Sequence, residues 1–345
     1  MKGVKKFLIC SFSASFALLA IPRVLKSEKT SAASIGRSEC VIELHSRRVL
    51  YEYNADTRLP MASTTKIATA ITALNASVDL QEEIIIPKEA VGIDGSSLYL
   101  QEGEKYTLND LLYGLMLRSG NDAAKAIALT VGGSEAEFSA MMNATAQKAG
   151  ALATNFVNSH GLPQDKHYTT ARDLSYITAY AMHNPTFCEI VGTKYYEPRR
   201  WQNKNKLLYR YEGACGVKTG YTKEAGRCLV SSATKNQMTL ICSLLNCSQT
   251  YERTEELFDD CFSAYQNIPL VLANRPFPLA YKGKFIKAYA KDDFYYPLLE
   301  EEKGLIEIKT KSLKEPFDKK ENEKIGEFQI YLSKQLLFSG NLYKL

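Results

Sequence analysis

The chain has 345 residues, of which 45% are hydrophobic and 23% are charged, and its formal net charge is +5. Residues 1–33 hold six basic residues and one acidic residue, so residues 34–345, with 37 of each sign, have no net charge. A surface without a basic field does not attract phosphate backbones, which excludes nucleic acid as a partner. The length allows a large core and two domains.

The N-terminus has the three parts of a secretory signal. Residues 1–6 are basic, residues 7–21 are apolar and uncharged, and small residues follow at 31–33. The apolar run is short for a membrane span, but an uncleaved signal anchor is an alternative. We therefore expect an exported, extracytoplasmic protein with residues 1–33 as its signal peptide, and membrane contact only if that segment is retained.

A hairpin and a helix are predicted next. Residues 40–43 and 49–53 have the pattern of two short strands around a charged turn. Beyond Pro60, apolar residues at positions 67, 70, 71 and 74 predict a helix with Ser63 and Lys66 on one face. Serine is a weak nucleophile unless a base lies within hydrogen-bonding distance, so the two residues are a candidate catalytic pair. The alternative is an ordinary helix that is capped by a serine, which is far commoner for an isolated Ser-x-x-Lys sequence.

The middle of the chain is predicted to be helical. Thr107 is a good N-cap for a helix that ends near Ser119, and another helix starts at Asp122. Residues 135–149 and 171–182 have the pattern of two more helices. Ser119 is therefore expected in a tight link between two helices.

Strand patterns are found again after the helical middle of the chain. Three of them are predicted in an antiparallel meander, at residues 213–220, 227–234 and 238–246. A helix follows at 251–264. Strands from both ends would then form one sheet beside the helical middle, so we expect residues 34–268 to be an α/β (α+β) domain of two or three layers, with an antiparallel sheet and a helical subdomain. Residues 269–345 have short strand patterns and predict a small β domain.

The cysteines and histidines do not predict a metal site. Seven cysteines follow residue 33, none of them in a Cys-x-x-Cys pair, and the four histidines are scattered. Most of these cysteines lie in apolar runs, which predicts buried thiols. A disulfide between Cys215 and Cys228, which flank the predicted hairpin, is an alternative. We expect no metal and no cofactor.

Three short motifs occur in a fixed order, namely Ser63-x-x-Lys66, Ser119-Gly120-Asn121 and Lys218-Thr219-Gly220. Each is weak alone, and two have second copies, at residues 232–235 and 339–341. Both copies lie beyond Lys218 and break the order. A helix start, a helix link and a strand end are the settings that chemistry at one shared cleft requires.

These motifs and their surroundings resemble the penicillin-recognising serine acyl enzymes, and among them the low-molecular-weight D-alanyl-D-alanine carboxypeptidases. The similar segments are residues 60–66, 118–124, 158–163, 167–173 and 216–226. The resemblance covers roughly residues 36–265 and implies a β-lactamase/transpeptidase-like domain, followed by a C-terminal domain that is only loosely similar. Cys215 departs from the family, in which many relatives carry an acidic residue there.

The resemblance implies roles that agree with the chemistry of the residues. Ser63 would attack the carbonyl of the penultimate D-alanine and form an acyl ester, and Lys66 would take its proton. Lys66 must be neutral for this, and a nearby cation, Lys218, and a partly dry pocket would lower its pKa. Ser119 would relay a proton to the leaving amine. Asn121 would hydrogen-bond the substrate backbone or hold Lys66.

The third motif is expected to bind the substrate. Lys218 and Thr219 suit the free carboxylate of a terminal D-alanine, and Gly220 would let the substrate backbone approach the strand edge. The backbone N–H groups of Ser63 and Tyr221 would form the oxyanion hole.

For three further residues the sequence predicts a role less specifically. Arg253 lies in the predicted helix after the meander, where the family has an arginine that is proposed to help bind the substrate carboxylate. The alternative, that Arg253 forms an ion pair at the protein surface, is nearly as well supported. His160 and His167 belong to the middle loop, and we expect both to be structural because a lysine base makes a histidine unnecessary.

The implied reaction removes the terminal D-alanine from peptidoglycan pentapeptide stems, with β-lactams as covalent inhibitors. One alternative is a β-lactamase, although a class A enzyme needs a glutamate that residues 155–175 do not contain. The other is a non-catalytic wall-binding or β-lactam-sensing domain, against which the intact set of motif residues argues.

Overall fold

The computed structural model describes residues 36–76, 79–313 and 315–345. The predicted signal segment lies outside these residues. No helix in the described part of the chain is both long and apolar enough to span a membrane. All the motif residues are described, so their relative positions are known.

Helices dominate the middle of the chain, with only four short strands among them, and most of the longer strands lie towards its two ends. The strands are β1 (Ser38–Glu43), β2 (Val49–Tyr53), β3 (Glu83–Ile85), β4 (Lys105–Thr107), β5 (Tyr195–Tyr196), β6 (Trp201–Gln202), β7 (Ala214–Thr222), β8 (Gly226–Lys235), β9 (Met238–Leu245), β10 (Gln266–Val271), β11 (Phe277–Tyr281), β12 (Lys284–Tyr289), β13 (Phe294–Leu298), β14 (Ile306–Ser312), β15 (Lys324–Leu332) and β16 (Gln335–Lys344). The α-helices are α1 (Lys66–Leu74), α2 (Leu108–Tyr113), α3 (Asn121–Gly132), α4 (Glu135–Lys148), α5 (Ala171–Met182), α6 (Pro185–Gly192), α7 (Leu207–Arg210) and α8 (Thr250–Ala264).

The first domain is built on a five-stranded antiparallel sheet with the strand order β2-β1-β9-β8-β7. Its strands come from both ends of the domain, as the sequence predicts, because β1 pairs with β9 from Ser38 to Glu43. The predicted meander is β7-β8-β9, in which Lys218 lies opposite Val230. β7 is therefore an edge strand, and it packs against the turn that contains Ser63.

Helices cover both faces of this sheet. Cys40 and Ile42 of β1 lie in the core beneath α1 and α5, whereas Val41 lies in the second core, beneath α8. Successive side chains of a strand point to opposite faces, so this alternation gives three layers. The helical region that contains α2, α3 and α4 lies beside α1.

Two cysteine positions correct one of the predicted alternatives. Cys215 and Cys228 are free thiols. Cys228 lies opposite Gly220 in the β7–β8 ladder, whereas the sulfur of Cys215 lies 3.2 Å from the hydroxyl of Ser232. The alternative of a disulfide is wrong because the hairpin register separates the two residues by several rungs. Burial raises the pKa of Cys228 to about 11.

The second domain is rich in β structure. Its five-stranded sheet has the order β11-β12-β16-β15-β14, and β10 and β13 form a separate antiparallel ladder. Buried side chains form a core of its own, including Leu279, Ile286, Phe328 and Leu342. The predicted boundary at residues 268 and 269 falls inside β10.

A buried ion pair joins the two domains. Arg48, just before β2, donates to the Glu302 carboxylate at 2.8 Å and to the main-chain oxygen of Pro297 at 2.6 Å. The two charged side chains are only 3% and 7% exposed. The guanidinium also lies 5.1 and 5.2 Å from the ring centroids of Tyr265 and Tyr296. These contacts fix the second domain against the β1–β2 hairpin.

Replacing Glu302 by glutamine should destabilise the protein by about 3–5 kcal/mol, because it leaves the Arg48 charge buried without its counter-ion. Urea unfolding measures this loss. Glu315→Gln is a matched control, since it breaks an ion pair with Lys282 in which both side chains are more than 60% exposed. That variant should unfold like the wild type. An equal loss of stability in the two variants would contradict the importance of the buried pair.

Candidate active site

Ser63 lies in a tight turn in front of the predicted helix. The turn is a 3₁₀ segment, Ala62–Thr65, and α1 begins only at Lys66. Ala62 has φ = +50°, which residues other than glycine rarely adopt. The hydroxyl of Thr65 donates to the main-chain oxygen of Ala62 at 2.8 Å and closes the turn. The apolar periodicity predicts α1, but it contains no signal for this turn.

Lys66 is completely buried, and its ammonium nitrogen is close to three oxygen atoms. These are the Ser63 hydroxyl at 3.0 Å, the Asn121 side-chain oxygen at 2.6 Å and the His160 main-chain oxygen at 2.6 Å. The structure thus brings together the first motif, the second motif and the middle loop. It also places the candidate base within hydrogen-bonding distance of the candidate nucleophile.

The pKa of Lys66 lies well below its ordinary value of 10.5. Burial is the largest cause, and the charge of Lys218 is the next. Both were predicted from the sequence. The ammonium of Lys204 lowers it further, whereas the carboxylate of Asp122 acts in the opposite direction. Burial, together with Lys204, also lowers the pKa of Lys218 to about 7.

The second motif positions Ser119 and Asn121 through an unusual backbone. A π-helical turn, Gly114–Arg118, is followed by Ser119 with φ = +67°, and α3 then begins at Asn121. The Asn121 amide donates to the main-chain oxygen of Asp94 and accepts from Lys66. The side chain of Asn121 therefore holds Lys66, which is one of its two predicted roles.

Asp122 was missed as a site residue, although it directly follows the second motif. It is 1% exposed. Its carboxylate accepts from the Ser97 hydroxyl and from the backbone N–H groups of Leu98 and Leu100. These bonds hold the loop around Ser96 at the edge of the cavity described below.

The third motif lies on the edge strand, next to the turn of Ser63. A Cβ atom at Gly220 would be 3.1 Å from the Ser63 nitrogen and 3.1 Å from the main-chain oxygen of Met61. A side chain at position 220 would therefore crowd the turn of Ser63, which is a reason for glycine in addition to the expected approach of the substrate. Lys218 is 2% exposed, and its ammonium donates to the main-chain oxygen of Thr219 at 2.9 Å.

A cavity of about 500 Å³ opens between these elements. The predicted residues Ser63, Ser119, Thr219, Gly220 and Tyr221 line it. Lys204 and Arg227 also line it, and neither was predicted. Lys204 follows two very short strands and belongs to none of the three motifs, so the sequence has no signal for its place in the cavity.

Arg253 does not line this cavity. Its guanidinium donates to the Glu39 carboxylate at 2.9 and 3.0 Å, to the Tyr51 hydroxyl at 2.8 Å and to Glu256 at 2.7 Å. The side chain is only 1% exposed. In this structure Glu39, buried in β1, holds the guanidinium of Arg253, so we do not carry its expected contact with a substrate carboxylate into the proposed reaction.

The two histidines of the middle loop support the site without lining it. The main-chain oxygen of His160, and not its ring, contacts Lys66. The Nδ1 atom of His167 accepts from the Val157 N–H at 3.2 Å, so its Nε2–H donates to the Thr65 hydroxyl at 2.9 Å. Burial is the main cause that lowers the pKa of both rings to about 4, which keeps them neutral near pH 7.

The comparisons with known proteins agree with this geometry. A family model described as Peptidase_S11, D-alanyl-D-alanine carboxypeptidase, matches residues 26–249. The chain belongs to this family. It is a serine-type D-Ala-D-Ala carboxypeptidase, that is, a penicillin-binding protein that acts on peptidoglycan.

This chain is similar to characterised proteins both in sequence and in fold. D-alanyl-D-alanine carboxypeptidase DacF of Bacillus subtilis (strain 168) is 32% identical over 275 residues, which cover 76% of this chain and 71% of the relative. A variant of the Streptomyces K15 DD-transpeptidase is 33% identical, with a TM-score of 0.63 over 68% of this chain and all of that one. Penicillin binding protein 5 from Haemophilus influenzae has a TM-score of 0.75 at 24% identity, over 92% of this chain and 98% of that one. This last likeness shows the same fold, with an α/β transpeptidase domain followed by a β-rich domain.

Replacing Lys204 by methionine should shift the pH dependence of acylation. The neutral, reactive form of Lys66 is present above its pKa and is lost as the pH falls through it. Removing a neighbouring cation raises that pKa, so the acid limb of the profile should move to higher pH and the rate at neutral pH should fall. The rate constant of acylation by a penicillin, measured over a range of pH, tests this.

Lys204→Arg is the control, since it keeps a cation at the same position. Its acid limb should stay at the wild-type pH, even if its rate differs. An acid limb that does not move in Lys204→Met would contradict the electrostatic coupling of the two lysines.

Proposed function

We propose that Ser63 is the nucleophile and Lys66 the base of an acyl-enzyme reaction that removes the terminal D-alanine from peptidoglycan pentapeptide stems. The main support for this proposal is the set of hydrogen bonds that Lys66 forms. A neutral amine has two N–H groups and one lone pair. The Asn121 and His160 carbonyl oxygens can only accept, so they take both N–H groups. The lone pair is then left for the Ser63 hydroxyl, 3.0 Å away.

Acylation begins when the Ser63 oxygen attacks the carbonyl carbon of the penultimate D-alanine. Its proton passes to Lys66, and the backbone N–H groups of Ser63 and Tyr221 stabilise the oxyanion. As the C–N bond breaks, the proton moves from Lys66 through Ser119 to the amine of the leaving D-alanine.

In deacylation, a water molecule is the nucleophile and Lys66 is again the base. Lys66 takes a proton from a water molecule, whose oxygen attacks the ester carbonyl. The C–O bond to Ser63 then breaks, and the proton returns from Lys66 to the Ser63 oxygen. Because the lysine supplies the base in both steps, the mechanism needs no metal and no cofactor.

The positive charge of the cavity supports a substrate with a free terminal carboxylate. Thr219 and Lys204 line the cavity, and Lys218 lies behind Thr219 with its ammonium on the main-chain oxygen of that residue. We assign the carboxylate to Thr219 and Lys204 directly. Lys218 contributes its charge both to this site and to the neutrality of Lys66. A β-lactam, which also carries a carboxylate beside a reactive carbonyl, would acylate Ser63 in the same position.

The cellular setting follows from the N-terminal sequence. Residues 1–33 have the pattern of a secretory signal, so we place the enzyme outside the cytoplasm, at the cell wall. Membrane contact is proposed only through this segment, if it is retained. Nucleic acid is not a proposed partner, because residues 34–345 have no net charge.

Replacing Ser63 by alanine should abolish labelling by a fluorescent penicillin and should lower the release of D-alanine from a pentapeptide by at least about 10³-fold. Gel fluorescence and mass spectrometry of released D-alanine measure the two effects. Ser232→Ala is the matched control, because Ser232 begins the second Ser-x-x-Lys sequence of the chain. That variant should label and turn over like the wild type. Undiminished labelling of Ser63→Ala would refute the mechanism.

A further inference from the structure

A second large cavity lies between the two domains. It has a volume of about 560 Å³, within the range of ligand-binding pockets. The first domain contributes the β1–β2 turn, with Glu43 and His45, and Gln237 from the β8–β9 turn. The second domain contributes residues on and near β10, β13 and β16. We call this cavity the interdomain groove.

Aromatic residues line much of the interdomain groove. The rings of Phe294 and Phe338 are stacked, with centroids 4.3 Å apart and planes inclined by 12°. Tyr295 also lines the groove, on the other face of β13, which is the face that carries Asn267 of β10. All three aromatic residues are half-buried. Partly accessible ring faces in a cavity offer a flat apolar surface to a ligand.

Asn267 gives the groove an acceptor that requires a partner. Its side-chain nitrogen donates to the main-chain oxygen of Gln237 at 2.7 Å, which assigns the orientation of the amide. Its side-chain oxygen is buried and has no donor among the described residues. A buried acceptor without a donor is unfavourable by about 1–3 kcal/mol, so a ligand N–H or O–H at this point would be stabilising.

The charges of the groove exclude anions. Glu43 and Asp293 line it, and no lysine or arginine of the described chain does so. The carboxylate of Glu43 accepts from the hydroxyl and the backbone N–H of Ser46 at 2.6 and 2.7 Å. One oxygen of Asp293 accepts from the N–H of Ala273 at 2.6 Å. An anionic lipid or a phosphate-rich polymer would be repelled, whereas a neutral ligand rich in donors is favoured.

We propose that the interdomain groove binds a neutral glycan of N-acetylated amino sugars, the chemistry of the peptidoglycan backbone. The apolar face of a sugar ring would lie on Tyr295, which shares a face of the β10–β13 ladder with Asn267, and its edge would reach the rim formed by Phe294 and Phe338. An acetamido N–H would donate to the free oxygen of Asn267, and sugar hydroxyl groups would donate to Asp293. This site is additional to the proposed reaction, because it shares no residue with the cavity of Ser63.

The position of the groove allows both sites to be used at once. The groove lies at the strand ends that carry the β1–β2 and β8–β9 turns, and Gln237 lies just after the end of β8. The cavity of Ser63 includes Cys228, near the other end of β8. A bound glycan therefore leaves the cavity of Ser63 open. The groove would hold the enzyme on the wall while stem peptides enter the active site.

Binding can be measured on the full chain with tri-N-acetylchitotriose as the probe, by calorimetry or saturation-transfer NMR. We expect saturable binding that Asn267→Leu and Tyr295→Ala each weaken about tenfold, which corresponds to about 1.4 kcal/mol. Phe285→Ala is the matched control, since Phe285 is an aromatic residue of the second domain that is 77% exposed and outside the groove. Thermal unfolding checks that each variant is folded. No saturable binding, or equal affinity in wild type, Asn267→Leu and Tyr295→Ala, would overturn the proposal.

A second measurement separates this site from the proposed reaction. Asn267→Leu should release D-alanine from a soluble pentapeptide at the wild-type rate, but several-fold more slowly from insoluble cell-wall sacculi. Equal loss on both substrates, or no loss on sacculi, would argue against a glycan site. Binding of the probe should also persist in Ser63→Ala, so a failure of the proposed mechanism would leave the binding result interpretable.

Discussion

The active site is organised by the ammonium nitrogen of Lys66, which is buried against three oxygen atoms, two of which can only accept hydrogen bonds. In the neutral state the two N–H groups are committed to these acceptors, so the direction of the lone pair is determined by the protein. Burial and the charge of Lys218 both favour that neutral state. The geometry and the electrostatics thus act on the same atom.

The three-layer fold explains how four separate parts of the chain reach that nitrogen. α1 carries Lys66, α3 begins at Asn121, the middle loop supplies the main-chain oxygen of His160, and β7 supplies Lys218. Close packing is needed at each junction. A Cβ atom at Gly161 would lie 2.0 Å from the main-chain oxygen of Ala62, so the middle loop lies directly on the turn of Ser63. The left-handed backbone of Ala62 is maintained by these contacts, since local preference opposes it.

Much of this arrangement could be predicted from the sequence, because its signals are local. The three motifs, the Thr107 cap and the apolar periodicity of α1 each lie within a few residues. The remainder depends on contacts between distant parts of the chain. Arg253 meets Glu39 across 214 residues, and Lys204 reaches the cavity from a segment with no regular pattern. Asp122 lies between these two groups. Its position next to the second motif could be read from the sequence, but its hydrogen bonds to the backbone of Leu98 and Leu100 could not.

The buried thiols have a consequence for folding in an oxidising compartment, where the proposed export would take this enzyme. Burial raises the pKa of Cys40 to about 12 and that of Cys242 well above its ordinary value of 9.0. Thiol–disulfide exchange requires a thiolate, which such groups do not form near neutral pH. Once the protein is folded, the sulfur atoms of Cys40 and Cys242 are inert packing groups that do not exchange with external disulfides. The period of risk is the short interval before the sheet closes over them.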